Sequence, residues 1–217
     1  MNFTNSDQQI DLSVQRVFVA GWTGRDRAAV DHHIEELAEL GIAPPSTVPL
    51  YYRVSTGLLT QAAQIDVLGE CTSGEVEPLL IKQDGHLWLG LASDHTDREL
   101  EAHSVAASKQ ACLKPVSHEL WEYGSVEHHL DSLILRCTVK ENKQWIVYQE
   151  GSLENITPLS ELMQGAVLGE NDAMLCGTLP AIGGVRPANH YKMELVDPIL
   201  KRAIQLTYSV TTLPIIA

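Results

Sequence analysis

Glu75, Glu77 and Asp94 are the residues of this chain whose types and spacing best suit chemistry. They bracket the segment GEVEPLLIKQDGHLWLGLASDHTDRELE, in which two strand-like runs flank Asp84-Gly85, a dipeptide favoured in two-residue hairpin turns. A turn there sets Gln83 opposite His86, Glu77 opposite Ala92 and Glu75 opposite Asp94. Side chains alternate along a strand, so the three carboxylates share one face. Carboxylates this close repel and raise one another's pKa unless a cation sits among them. All-oxygen ligation suits Mg2+, Mn2+ or Ca2+ and does not suit zinc. The same spacing also describes a solvated acidic strand end. Pro78 bears against the hairpin, because it withdraws a ladder donor and marks an edge strand.

Elements must hold these groups in place. Gln15–Gly21 (QRVFVAG) reads as a β-branched strand, and Arg25–Gly41 as a helix with Val30, Ile34, Leu37 and Leu40 at helical spacing and Gly41 as its stop. Short strands are expected at Leu50–Val54, Ile65–Leu68, Ser132–Val139, Gln144–Gln149, Met174–Leu179, His190–Val196 and Ala203–Val210. A helix is expected from Thr96, with Thr96 and Glu99 spaced as a capping box. A second should start at Thr157-Pro158, with Thr157 as cap and Pro158 in the first turn. Many short strands with few helices predict a β-rich α+β domain rather than a doubly wound sheet.

Composition narrows the function classes. The 217 residues carry 28 Asp plus Glu against 15 Lys plus Arg, a formal net charge of −13. That excess repels phosphates and argues against nucleic acid or an anionic membrane as partner. Cys71, Cys112, Cys137 and Cys176 lie far apart with no zinc-ligand spacing, and no disulfide framework is expected. The N-terminal stretch MNFTNSDQQIDLS lacks the profile of a signal peptide, and no apolar run approaches the ~20 residues of a membrane span. The expectation is a cytoplasmic protein.

The motifs, taken in order, resemble the fumarylacetoacetate hydrolase-like superfamily. That family carries a Glu-x-Glu pair on a strand, here Glu75-Val76-Glu77, then an Asp in a D-x-T-x-R segment, here SDHTDRE with Asp94, Thr96, Arg98 and Glu99 in register. ASKQACLKPVS supplies Lys109 where the family has a lysine ahead of a proline. CGTLPAIGGVRP matches its TGTPAGVG stretch at Gly177, Thr178 and Pro180, and VPLYYRVST resembles the strand ending in Lys-Pro-Ser, with Arg53-Val54-Ser55 in its place. The likeness runs from about Val17 to Val210. It departs from the pattern in the residue between Thr178 and Pro180, in Ala188-Asn189 for a Gly-Asp pair, in a short Glu77–Asp94 connection, and in a missing Gly-x-Asn-Tyr segment after Gly21. These departures mark a divergent branch.

The resemblance implies a mixed β-sandwich roll with few short helices, a single catalytic domain over 1–217 with residues 1–48 as a lid, and a homodimer. It implies Mg2+ or Mn2+, with Ca2+ as an alternative, held by Glu75, Glu77 and Asp94. Lys109 would stabilise an oxyanion, and Arg53, Gly177 and Thr178 would bind the substrate. His33 with Glu36, at i and i+3 in HHIEE, would activate water; His32 with Glu35 is the rival pair, and solvated side chains on a polar helix face are the plainer alternative. Lys109 carries a geometric condition: a continuous helix from Thr96 at ~1.5 Å per residue would leave it about 20 Å from Asp94. The chain must therefore turn back. The implied activity is hydrolysis of a carbon–carbon bond in a small oxo-acid, such as an acylpyruvate or β-diketo acid, through an enolate beside the metal. Decarboxylation, hydration and tautomerisation fit the same groups, as would a catalytically silent binding module or a calcium-stabilised structural domain. His95 and His103 are expected to be structural or solvent-facing, and Trp88 and Leu89 to be sheet core.

Overall fold

The computed structural model describes residues 1–6, 8–39 and 44–216, except for the side chains of His33, Glu36, Leu37 and Glu39. The expected helix stop at Gly41 lies outside the described residues. The chain opens with a hairpin of β1 (Asn2–Asn5) and β2 (Gln8–Asp11). Next come β3 (Arg16–Gly21), α1 (Arg27–Glu39), β4 (Leu50–Val54), β5 (Leu59–Thr60), β6 (Gln64–Leu68) and β7 (Thr72–Ser73). The long hairpin of β8 (Val76–Gln83) and β9 (His86–Ser93) follows. Beyond it lie β10 (Thr96–Asp97), α2 (Arg98–Glu101), α3 (Val105–Ala111), β11 (Lys114–Pro115) and β12 (Trp121–Glu122). The last third holds β13 (Ile134–Glu141), β14 (Gln144–Ser152), α4 (Leu159–Ala166), β15 (Asp172–Leu175), β16 (His190–Asp197) and β17 (Arg202–Leu213).

Two sheets carry the structure: a six-stranded one in the order β12-β9-β8-β15-β3-β4 and a five-stranded one in the order β14-β13-β16-β17-β6. Alternation splits the first sheet's side chains between two cores. Phe18, Val76, Leu80, Leu89 and Leu91 join Leu135, Tyr191, Leu195 and Ile204 of the second sheet. Val17, Val19, Leu79, Ile81 and Ala92 face the other way, under Phe3 and Leu12 from the β1–β2 hairpin and under Val116 and Leu120. The fold is thus β-rich, with both faces of its central sheet covered.

Three sequence expectations shift in the structure. Pro78 marks no edge, for β8 is central; β15 ends at Leu175, and beside Pro78 only its carbonyl is needed, accepting from Cys176 N at 3.0 Å. Thr96 does not cap the following helix. Asp97 does, accepting from Glu99 N and Leu100 N, while Thr96 pairs with Ser73 across β7–β10. Thr157 likewise caps nothing: its hydroxyl donates to Thr23 O at 3.0 Å, and Pro158 is the N-cap of α4.

Candidate metal centre

The tight turn at Asp84-Gly85, both at positive φ, fixes the β8–β9 register. Val76 faces Ser93, Glu77 faces Ala92, and one step beyond the ladder Asp94 N donates to Glu75 O at 3.0 Å. The carboxylates of Glu75, Glu77 and Asp94 consequently meet, each offering an oxygen within 4.8 Å of the others. Glu77 is 2 % exposed and Asp94 0 %.

The turn needed before Lys109 is present. α2 ends at Glu101 with Ala102 as its C-cap, Ser104 caps α3 by accepting from Ala107 N, and the chain returns toward the hairpin. There the buried Lys109 ammonium pairs with Asp94 Oδ2, above the Tyr52 ring. A second buried lysine, Lys114, lies 3.0 Å from Asp94 Oδ1 and donates to His95 O. Its approach to Asp94 is off the hydrogen-bond line, so that buried oxygen has no hydrogen bond among the described residues. Arg98 lies 3.2 Å from Glu75 and bonds Ser73 Oγ and Glu101. On the opposite side Gly177 N donates to Glu77 Oε2 at 2.8 Å. Gly177 sits at φ +93°, and a Cβ there would fall 1.7 Å from Thr23 Oγ1. Only glycine fits this approach.

These surroundings split the acids electrically. Burial alone would raise Asp94, but Lys109 and Lys114 hold its carboxyl well below the usual range. Glu77 is raised well above its ordinary value, first by burial and then by Asp94. Burial raises Glu75 too, with Arg98 and Lys109 opposing. The same acids keep Lys109 protonated against its burial. His95 is held neutral, its pKa pushed down to about 3 by burial and by Lys114, between Tyr208 OH and Thr72 Oγ1. It is structural, and His103 is exposed.

A hard divalent cation fits this donor set. Oxygen-only ligands, an Asp94 oxygen without a hydrogen bond, and buried acids pushed toward protonation all describe a place short of positive charge.

The other expected residues are placed unevenly. Thr178 lies beside the centre, but its hydroxyl donates to Val76 O at 2.7 Å and accepts from Gln149 Nε2. Its proton is therefore not available to a substrate carboxylate. Arg53 is not brought to the centre: exposed on β4, it stacks over Phe18, 4.7 Å from the ring centroid, while its neighbour Tyr52 faces Lys109. His33 and Glu36 lie on α1, and their side chains are outside the described residues; His32 and Glu35 are exposed. Sequence reasoning gave no role to Lys114, Gln149 or Thr23. Lys114-Pro115 carries no signal that a lysine should be fully buried, and Gln149 sits in an ordinary strand.

Comparison with known proteins agrees with this architecture. No curated protein sequence matches the chain. Among solved structures, 2-keto-3-deoxy-D-arabinonate dehydratase complexed with magnesium and 2,5-dioxopentanoate superposes with a TM-score of 0.64 at 14% identity, over 94% of this chain and 75% of its own. For 5-carboxymethyl-2-hydroxymuconate delta-isomerase from Mycobacterium smegmatis the TM-score is 0.62 at 14% identity, over 97% and 87%. For 4-oxalocrotonate decarboxylase from Pseudomonas putida G7, complexed with calcium and acetate, it is 0.57 at 11% identity, over 93% and 78%. These likenesses establish the fumarylacetoacetate hydrolase-like fold. A family model described as a protein of unknown function, DUF2848, matches residues 20–208. The chain therefore belongs to the DUF2848 family and is built on the fumarylacetoacetate hydrolase-like fold.

Proposed function

We propose that this protein is a divalent-metal-dependent enzyme acting on a small oxo-acid, and that it hydrolyses a carbon–carbon bond in a substrate of the acylpyruvate or β-diketo acid type. The convergence of three carboxylates, Glu77 and Asp94 buried and Glu75 partly so, beside a buried lysine carries the reading. Glu75, Glu77 and Asp94 would hold Mg2+ or Mn2+, and Ca2+ suits the same oxygens. A bound cation supplies Lewis acidity to the carbonyl and carboxylate oxygens of a chelating substrate.

The chain's own groups do the rest. Lys109, paired with Asp94 and held toward its ammonium form by the surrounding acids, would act as positive charge and hydrogen-bond donor toward a developing oxyanion. Asp94 engages it while an ammonium's further N–H groups stay available. The Gly177 N–H orients Glu77. His33, assisted by Glu36, is the proposed water activator. Residues 1–48 would contribute the lid through α1, on which no described side chain is buried, and the active form would be a homodimer in the cytoplasm. No helix among the described residues is long and apolar enough to cross a membrane.

A second reading keeps the centre and changes the outcome to dehydration, decarboxylation or tautomerisation. The dehydratase, isomerase and decarboxylase among the similar structures favour it. Mn2+ titration with and without oxalate, followed by product analysis on acylpyruvates and oxaloacetate, tests both. Hydrolysis predicts an acid pair from an acylpyruvate, lost in His33→Ala and Glu36→Ala with Mn2+ affinity retained. Tight Mn2+–oxalate binding with no turnover of any candidate would mark a silent binding module instead.

A further inference from the structure

Tyr148 and Gln149 are neighbours in β14, yet both are fully buried. Regular alternation would expose one of them. The pairing with β13 slips at this point: Cys137 faces Gln149, and Thr138 faces Val147. Tyr148 is the extra residue of a β-bulge, a device that re-aims side chains. Tyr148 enters the apolar core between the sheets, while Gln149 crosses to β8.

There its amide is fully used. Oε1 accepts from Val76 N at 3.0 Å, and Nε2 donates to Thr178 Oγ1 at 2.8 Å and to Leu179 O at 2.6 Å. Thr178 closes a ring by donating to Val76 O at 2.7 Å. Because β15 has ended at Leu175, no strand among the described residues lies beside Val76 on this side. A side-chain amide and a hydroxyl stand in for the absent ladder partner. Val76 is the residue between Glu75 and Glu77, so what fixes its backbone fixes the spread of the two carboxylates.

We propose that Gln149 is a positioning residue of the acidic centre: through Val76 and Thr178 it sets the separation of Glu75 and Glu77 and keeps the Gly177 N–H on Glu77. This rests on the reading that the centre holds a divalent cation. All three bonds of the Gln149 amide end on segments that carry ligands or their supports, and an apolar side chain of similar length would fill the same space without making them.

Mn2+ binding followed by its EPR spectrum, with circular dichroism as a check of folding, tests the assignment. Gln149→Met weakens Mn2+ binding about 10- to 100-fold, the range typical of groups that orient metal ligands, and broadens the EPR lines. Thr178→Val moves both readouts the same way, whereas Thr178→Ser, which keeps the hydroxyl, stays near the parent. Folded Gln149→Met and Thr178→Val proteins that bind Mn2+ like the parent, while Glu77→Gln does not, overturn the positioning role and leave the metal reading intact. Parental binding by Glu77→Gln overturns both. Should Gln149→Met not fold, the Thr178→Val and Thr178→Ser pair decides by the same criteria.

Discussion

Two buried aspartates at different places in the fold show how a structural charge differs from a poised one. Asp197, closing β16, is saturated: Oδ1 accepts from Ile199 N and Leu200 N at 3.0 and 2.9 Å, and Oδ2 meets His129 at 3.1 Å and Arg202 at 3.4 Å. Asp94 faces two buried lysines, retains an oxygen with no hydrogen bond among the described residues, and is crowded by two further carboxylates. Turn amides and partners complete the first site. The second is arranged so that its groups fall short of satisfying one another, as expected where a ligand completes the set.

The largest test of that contrast is Asp94→Asn. Removing its charge takes away the carboxylate that both Lys109 and Lys114 contact, and loss of one partner from a buried pair costs about 3–5 kcal/mol. Urea unfolding should show that loss, together with loss of Mn2+ binding. Asp197→Asn should cost about 1–3 kcal/mol, the range for buried groups left unsatisfied, with Mn2+ affinity unchanged. An equal fall in affinity would erase the distinction.

Glu77→Gln sharpens the contrast through metal linkage. Saturating Mn2+ should stabilise the parent by about 2.7 kcal/mol at a hundredfold excess over Kd and raise its Tm. The variant should gain nothing, and without metal it should be as stable as the parent, because Glu77 is already pushed toward protonation. Gly177→Ala comes next. A methyl driven into Thr23 at positive φ should cost about 1–3 kcal/mol and weaken Mn2+ binding, read from parallel melts and titrations.

The acid limb separates the two regions further. Burial opposes ionisation of Asp197, but the Leu200 N–H and His129 hold its carboxyl below the ordinary range. Its contribution is therefore present above the unfolded value of about 3.9 and fades as pH falls through the lower folded value. Asp197→Asn should flatten the stability profile there, measured by urea unfolding from pH 5 downward. Arg53→Ala should do least, changing stability by no more than about 0.5–1 kcal/mol, the worth of an exposed cation–π contact, with no effect on metal binding.

Much of this was readable from local rules. The Asp84-Gly85 turn dictates the register, and the register puts Glu75, Glu77 and Asp94 together; strand alternation sorts Leu79 and Leu80 into separate cores. Long-range partners were not readable. Lys114 is buried because Asp94 and the His95 carbonyl meet it in space, and nothing within KPVS records that. Pro78 looked like an edge marker because the end of β15 beside it depends on residues a hundred positions away. Gln149 was hidden by a bulge, which no period-two reading anticipates. Arg53 was placed by motif likeness, and one residue of alternation along β4 decides which face it takes.

The position of β15 has a consequence for the order of assembly. It lies between β8, with which it is antiparallel, and β3, with which it is parallel. Until residue 175 has left the ribosome, the six-stranded sheet exists only as separate halves, β12-β9-β8 and β3-β4, each with an unpaired inner edge. Loop closure over so long a span makes this joining slow. Gly177 and Thr178 lie just beyond that last-added strand, so the centre can be completed only when the sheet is.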